Sequence, residues 1–98
     1  MNKVVIVMTA KAGKAREAMA GVKALAEYTK SKHGLKTEVY MQLYGVAGTI
    51  YVIGENEHMV AAEAVQAKLM ADEGYWALAQ KMADLMIGPP TITLLQLV

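Results

Sequence analysis

Apolar residues along the chain follow two kinds of spacing, and the switches between them predict the elements. Lys3 to Ala10 holds the run Val4-Val5-Ile6-Val7-Met8, apolar at every position. A run of that kind suits a central strand with no wet side, and Ala12-Gly13 ends it. From Lys14 to His33 the spacing changes to threes and fours: Ala15, Ala18, Met19, Val22, Leu25, Ala26 and Thr29 recur on one side, with Arg16, Glu17, Lys23, Glu27 and Lys30 on the other. That spacing predicts an amphipathic helix. Gly34 is its left-handed stop, and Lys32 and His33 face the negative end of the helix dipole. Thr37 to Tyr44 then alternates strictly, with Thr37, Val39, Met41 and Leu43 on one side and Glu38, Tyr40, Gln42 and Tyr44 on the other. Gly45-Val46-Ala47-Gly48 reads as a hairpin connection, and Thr49 to Gly54 as the return strand, with Ile50 and Val52 opposite Tyr51 and Ile53.

Asn56 is placed to cap a second helix, with Glu57 near its positive end. That helix runs through Ala61, Ala62, Val65 and Leu69 and breaks at Asp72-Glu73-Gly74. A further helical piece follows over Tyr75 to Met86, with Leu78, Met82 and Leu85 in register. Gly88-Pro89-Pro90 bars any continuation, and Thr91 to Val98 reads as a last strand. The order strand, helix, strand, strand, helix, strand is the split β-α-β plan. The fold expected is therefore an α+β, ferredoxin-like β-α-β-β-α-β sandwich with an antiparallel four-stranded sheet, one domain over residues 1–98.

In such a plan both helices pack on one face of the sheet. Val39, Met41, Leu43, Ile50 and Val52 suit the covered face, which leaves Tyr40, Gln42, Tyr44 and Tyr51 on the other, with Glu38 near one end. Rings with polar tips are the mixture found at interfaces and pocket walls. The expectation is that this face meets the same face of a second copy, so that two sheets form a dimeric α/β barrel.

Composition strengthens that reading. The chain is 55% hydrophobic and 19% charged, apolar-rich and charge-poor for a soluble domain. A chain of this length buries only roughly 60–70% of its unfolded surface, so apolar surface is left over for a partner. The net charge is +1, but residues 1–36 carry eight Lys/Arg against two Glu, whereas residues 37–98 carry two Lys against seven acids. Such a split marks either an anion-binding face or, more plainly, a basic helix lying beside an acidic one. Cysteine is absent, which excludes disulfides, thiolate metal sites and a cysteine nucleophile. Val4 to Met8 is too short for an export signal or a membrane span, and the expected compartment is the cytoplasm. The eight methionines and the lack of phenylalanine point to Met as flexible core filler.

The stretch Leu69-Met70-Ala71-Asp72-Glu73-Gly74-Tyr75-Trp76-Ala77-Leu78-Ala79 is a helix, an acidic break, and a tryptophan opening a second helix before the last strand. With the element order, it resembles the dimeric α/β-barrel superfamily, which includes NIPSNAP-like proteins and antibiotic-biosynthesis-type monooxygenases. NIPSNAP-like chains often have Asp-Pro-Glu-Trp here; Asp72 and Trp76 match its ends, and Gly74-Tyr75 departs from it. The resemblance implies a homodimer and a range of activities: cofactor-free oxygenases, haem-degrading enzymes, lactone isomerases, and members without known activity. Haem-degrading members use a histidine on the second helix, and no histidine lies between Met59 and Val98.

Candidate chemistry is sparse. His58, in the first turn expected of the second helix, would be kept neutral by the helix end and so be usable as a base; an exposed residue beside a cap is the plainer role. His33 reads as a dipole partner. Tyr40, Tyr44 and Tyr51 either orient a planar ligand or fill the dimer seam, and Gln42 either binds a ligand carbonyl or pairs across the seam. Trp76 is a ligand contact or an anchor for the broken helix. The uncovered face has no Lys and the first strand no aromatic residue, unlike RNA-binding relatives of this topology. Phosphate-cradling loops and metal ligand sets are missing from the pattern. The function expected is binding of a small aromatic or apolar ligand, or an interaction module, with no cofactor, metal, nucleic acid or membrane. The alternative is a cofactor-independent monooxygenase or isomerase acting on a planar aromatic or polyketide-like substrate.

Overall fold

The structure, a computed structural model, describes residues 1–57 and 59–98, with side chains throughout except at Met59 and Ala62. Its elements are β1 (Asn2–Thr9), α1 (Ala15–His33), β2 (Thr37–Met41), β3 (Thr49–Asn56), α2 (Met59–Met70), α3 (Glu73–Ala83) and β4 (Thr91–Gln96). The strands form one antiparallel sheet in the order β2-β3-β1-β4. The two runs apolar at nearly every position, β1 and β3, take the centre. This is the α+β, ferredoxin-like arrangement that the spacing predicts, with the second helix divided into α2 and α3.

Register settles which residues share a face. Met8 pairs with Ile50 and Ile6 with Val52, while Val52 pairs with Val39 on its other side. These side chains face the helices. Ala18 and Val22 of α1, Ile50 of β3, Met82 of α3, and Ala10 and Met86 make the buried cluster; Met8, Met19, Val39 and Val52 pack against it. Gly21 lets α1 and α3 approach: a Cβ there would lie 3.1 Å from Met82 Cγ. Met8, Met19, Met82 and Met86 act as the filler expected, whereas Met41 and Met70 are exposed.

Helix ends follow local chemistry. Gly34 stands at φ 67°, and its N–H donates to the Lys30 carbonyl, closing α1 as expected. Asp72 caps α3, its carboxylate accepting from the Gly74 and Tyr75 N–H groups. Beyond α3 the chain returns to β1: Ile87 N–H donates to the Thr9 carbonyl at 2.7 Å, and Ala10 bridges Met86. That pairing ends the helix at Ala83, three residues before the predicted Met86.

Two further expectations are corrected. The alternation through Tyr44 predicts strand that is not there. β2 stops at Met41, and Leu43 and Tyr44 are loop, 80% and 91% exposed. The reason is that β3 begins only at Thr49, so residues beyond Gln42, whose N–H donates to the Thr49 carbonyl, have nothing to pair with. Gly45 and Gly48 turn the chain at φ 105° and 82°. Leu43 is therefore not on the covered face, nor Tyr44 on the uncovered one. Asn56 does not cap a helix: it is the last residue of β3, paired with Asn2.

Among the described residues, no helix covers the other face of the sheet. It carries Val5, Val7, Tyr40, Tyr51 and Ile53 among Thr9, Thr49, Thr91 and Thr93, with Glu38, Leu95 and the Lys3–Glu55 ion pair toward one end, so the expectation of a face without lysine is corrected. β4 is exposed along its whole length, Ile92 and Leu94 on the helix side included. The protein exposes 6797 Å². A monomer of 10.6 kDa is expected to expose about 5,500 Å².

Candidate functional site

Two surfaces flank the β2–β3 hairpin, and its residues divide between them. On the uncovered face a row runs across all four strands: Tyr40, Tyr51, Val7 and Thr91. Strand pairing sets it, because Tyr51 lies opposite both Tyr40 and Val7. The Tyr40 hydroxyl donates to Glu38, and that bond, with the charge of Glu38, raises the Tyr40 pKa. The Tyr51 hydroxyl donates to Gln42 Oε1 at 3.1 Å, and Gln42 Nε2 donates to the Tyr44 carbonyl at 2.6 Å. Gln42 is thus held at both ends, and a strand residue fixes the conformation of the loop.

On the helix side, a cleft of about 700 Å³ opens between the N-terminal half of α1 and the hairpin. Its floor is Ile50, 1% exposed. Met19, Met41 and Leu43 line it, as do Arg16 and Lys23, two helical turns apart on α1. Among the described residues, Gln42 is the one predicted site residue that reaches it. Arginine, ammonium and amide groups can bind and orient an acidic or carbonyl-bearing ligand; they are poor proton-transfer groups near neutral pH.

The other predicted residues lie elsewhere. Tyr44 is on the exposed hairpin loop. Trp76 is on α3, 43% exposed; its indole N–H donates to the Met70 carbonyl at 2.9 Å, and its ring meets Tyr75 edge-on at 5.9 Å. It closes the end of α2 and locks the α2–α3 angle, the anchoring role read from sequence. His58 lies outside the described residues. Among the described residues, no group of three or more His, Cys, Asp and Glu side chains is placed to hold a metal ion, and no helix is long and apolar enough to cross a membrane.

One polar cluster was missed by sequence reasoning. The Asp72 side chain, 3% exposed, accepts from Tyr28 Oη at 2.7 Å and Lys32 Nζ at 3.2 Å, and lies 2.7 Å from His33 Nε2. Burial pushes this carboxyl up, but the bonds from Tyr28, His33, the Tyr75 N–H and Lys32 outweigh burial and hold it well below the ordinary carboxylate range. Asp72 is therefore ionised, acceptor-only, and His33 Nε2 carries the hydrogen. Bonds to Tyr28 and Asp72 raise the Lys32 pKa in turn. The cluster ties the C-terminus of α1 to the N-terminus of α3. Tyr28 and Lys32 at i, i+4 on one helical stripe were the available signal; nothing local pointed to an acid 40 residues away.

No family model matches the chain, and no curated protein does. Solved structures match over its whole length. A NIPSNAP domain protein from Burkholderia xenovorans superposes with a TM-score of 0.85 at 13% identity, covering 100% of this chain and 95% of that one. An antibiotic biosynthesis monooxygenase gives 0.77 at 18% identity, covering 100% and 99%. The chain has the NIPSNAP and monooxygenase-type fold. A NIPSNAP family protein from Agrobacterium tumefaciens adds a TM-score of 0.77 at 13% identity over 97% and 90% of the two chains. Within the NIPSNAP-type fold, Asp72 and Trp76, the residues that carried the resemblance, are the cap and the brace of the helix break.

Proposed function

We propose that the protein is a homodimeric binding module for a small organic ligand, with the ligand in the α1–hairpin cleft and the uncovered sheet face as the dimer seam. The cleft carries this reading: its volume lies within the range of small-molecule sites, it has an apolar floor, and a few polar groups converge on it. In this reading Tyr40 and Tyr51 belong to the seam, and Tyr51 also holds Gln42 for the ligand. Tyr44 does not line the cleft and bears on it only through its carbonyl, which accepts from Gln42, and Trp76 acts through helix packing. The surplus exposed area and the bare β4 support the seam. The cytoplasm is the proposed compartment.

Binding is placed ahead of the oxygenase or isomerase alternative because the polar groups at the cleft are Arg16, Lys23 and Gln42, which suit recognition better than turnover. The test is a thermal-shift screen of aromatic and apolar metabolites on the protein and on Met19→Trp, which fills the cleft. The expected result is stabilisation of the first by at least one compound and not of the second. Stabilisation by none, or equal stabilisation of both, would sink the reading. Consumption of a stabilising compound under air would move the alternative ahead.

A further inference from the structure

We infer that the cleft takes an amphipathic carboxylate: an acyl chain or arylalkyl body with an acid head, the head against Arg16 and Lys23 and the body along Met19, Met41 and Leu43. The inference rests on the reading that the cleft is a binding site and adds the class of its ligand.

Charge gives the head. Arg16 and Lys23 both line the cleft, and no carboxylate does among its described lining residues. Neither cation has an ion pair or hydrogen bond among the described residues. Glu27, one turn beyond Lys23, stays out of pairing distance, and Glu17, beside Arg16, is taken by Lys14 at 3.7 Å. Helix stability does not account for Arg16. It sits in the first turn of α1, where the dipole disfavours a cation. Both side chains are exposed and free to turn toward the cleft, and a ligand carboxylate would give both of them a charge-assisted bond.

Shape and lining give the body. The hairpin loop Leu43-Tyr44-Gly45-Val46-Ala47 has no charged residue, and the large apolar side chains of Leu43, Tyr44 and Val46 are all exposed. Loops at a water surface are ordinarily polar. Met41 and Leu43 meet water beside a cleft whose floor is the fully buried Ile50. An apolar chain laid between them and Met19 would remove that surface from water, and unbranched Met side chains adapt to a flexible body. A polyphosphate would want many donors and no such walls. An uncharged hydrocarbon would leave the two cations without a partner.

The test measures decanoate and decanol against the full chain by displacement of an environment-sensitive anilinonaphthalene sulfonate. Decanoate should bind at least about tenfold more tightly than decanol. The double variant Arg16→Glu/Lys23→Glu should erase that preference, and Lys30→Glu, on α1 but outside the cleft, should leave it. Met19→Trp, or Ala20→Trp if the first does not fold by circular dichroism, should block both probes. Equal affinity for both probes, or a preference that survives charge reversal, overturns the ligand class while the binding site stands. Decanoate binding unchanged by the cleft-filling variants overturns the site and the class together. Binding to phosphatidylglycerol vesicles without binding of monomeric decanoate overturns the proposal in favour of a membrane surface.

Discussion

If two sheets pair face to face as proposed, a lysine in place of Val7 should separate the copies and leave the fold intact. Val7 lies on β1, a central strand, in the row Tyr40–Tyr51–Val7–Thr91 of the uncovered face. No helix packs there, so the longer side chain meets only solvent in a lone protomer. In a symmetric pair both copies bring the new ammonium into the seam. The protomer exposes about 1,300 Å² more than a monomer of its mass should. Covering most of that surplus on each copy gives an interface of more than about 2,000 Å², in the range of permanent dimers. Desolvating an unpaired cation costs on the order of several kcal/mol per ion. Even about 3 kcal/mol for the pair weakens association by about a hundredfold. Sedimentation velocity over a micromolar concentration series should show a dimer for the wild type and a monomer or a shifted equilibrium for Val7→Lys, while Val60→Lys, on exposed α2 surface, should match the wild type. Melting temperature should rise with concentration for the wild type, because association stabilises the folded state by mass action. A wild type that sediments as a monomer throughout, or a Val7→Lys variant that stays paired, would refute the reasoning.

Three further outcomes test the packing. Ile50→Ala removes a side chain that is 1% exposed at the centre of the core and should cost about 2–5 kcal/mol in chemical denaturation. Gly74→Ala would place a Cβ into the Tyr28 hydroxyl and 2.9 Å from Tyr28 Cζ; a loss of about 1–3 kcal/mol is expected, and a neutral or stabilised variant would show that the α1–α3 contact is looser than described. For Asp72 the folded-state pKa is depressed, so its contribution is present in full above the unfolded carboxyl value, about 3.9, and is lost as pH falls through that value toward the far lower folded one. Asp72→Asn should therefore be less stable at neutral pH and have a flatter acid limb than the wild type; parallel acid limbs would contradict the ionised cluster.

The element order was legible because the unbroken apolar run of β1, the three-and-four spacing of α1 and α3 and the alternation of β2 are distinct patterns, and Gly34 and Pro89-Pro90 mark two of the boundaries. Errors fell where spacing lacks a pairing partner. Leu43 and Tyr44 continue an alternation that the structure does not use, because a strand needs a neighbour at the same height and β3 starts too late to supply one. Asn56 has the chemistry of a cap, but β1 offers it Asn2 to pair with, and the ladder prevails. The Asp72 cluster was hidden for a different reason. Each member had a sufficient local explanation: His33 and Lys32 as dipole partners, and Asp72 as part of an acidic break. Only the packing of α1 on α3 brings them together.

The placement of the cleft residues shows why the two faces of a hairpin can serve different ends. Strand geometry sends successive side chains to opposite sides, so Met41 and Ile50 look toward α1 while Tyr40 and Tyr51 look away from it. Gln42 stands where this separation breaks down. Its backbone still bonds to Thr49, its side chain accepts from Tyr51 on the uncovered side, and it lines the cleft on the other. A displacement of Tyr51 as two sheets close would therefore act on Gln42 and, through the Tyr44 carbonyl, on the loop beside Leu43. Tyr51→Phe removes that link with little change in shape, at a cost of about 0.5–1.5 kcal/mol. If the link is real, the variant should still dimerise and yet bind its cleft ligand more weakly; unchanged affinity in a variant that dimerises normally would mean that seam and cleft are independent.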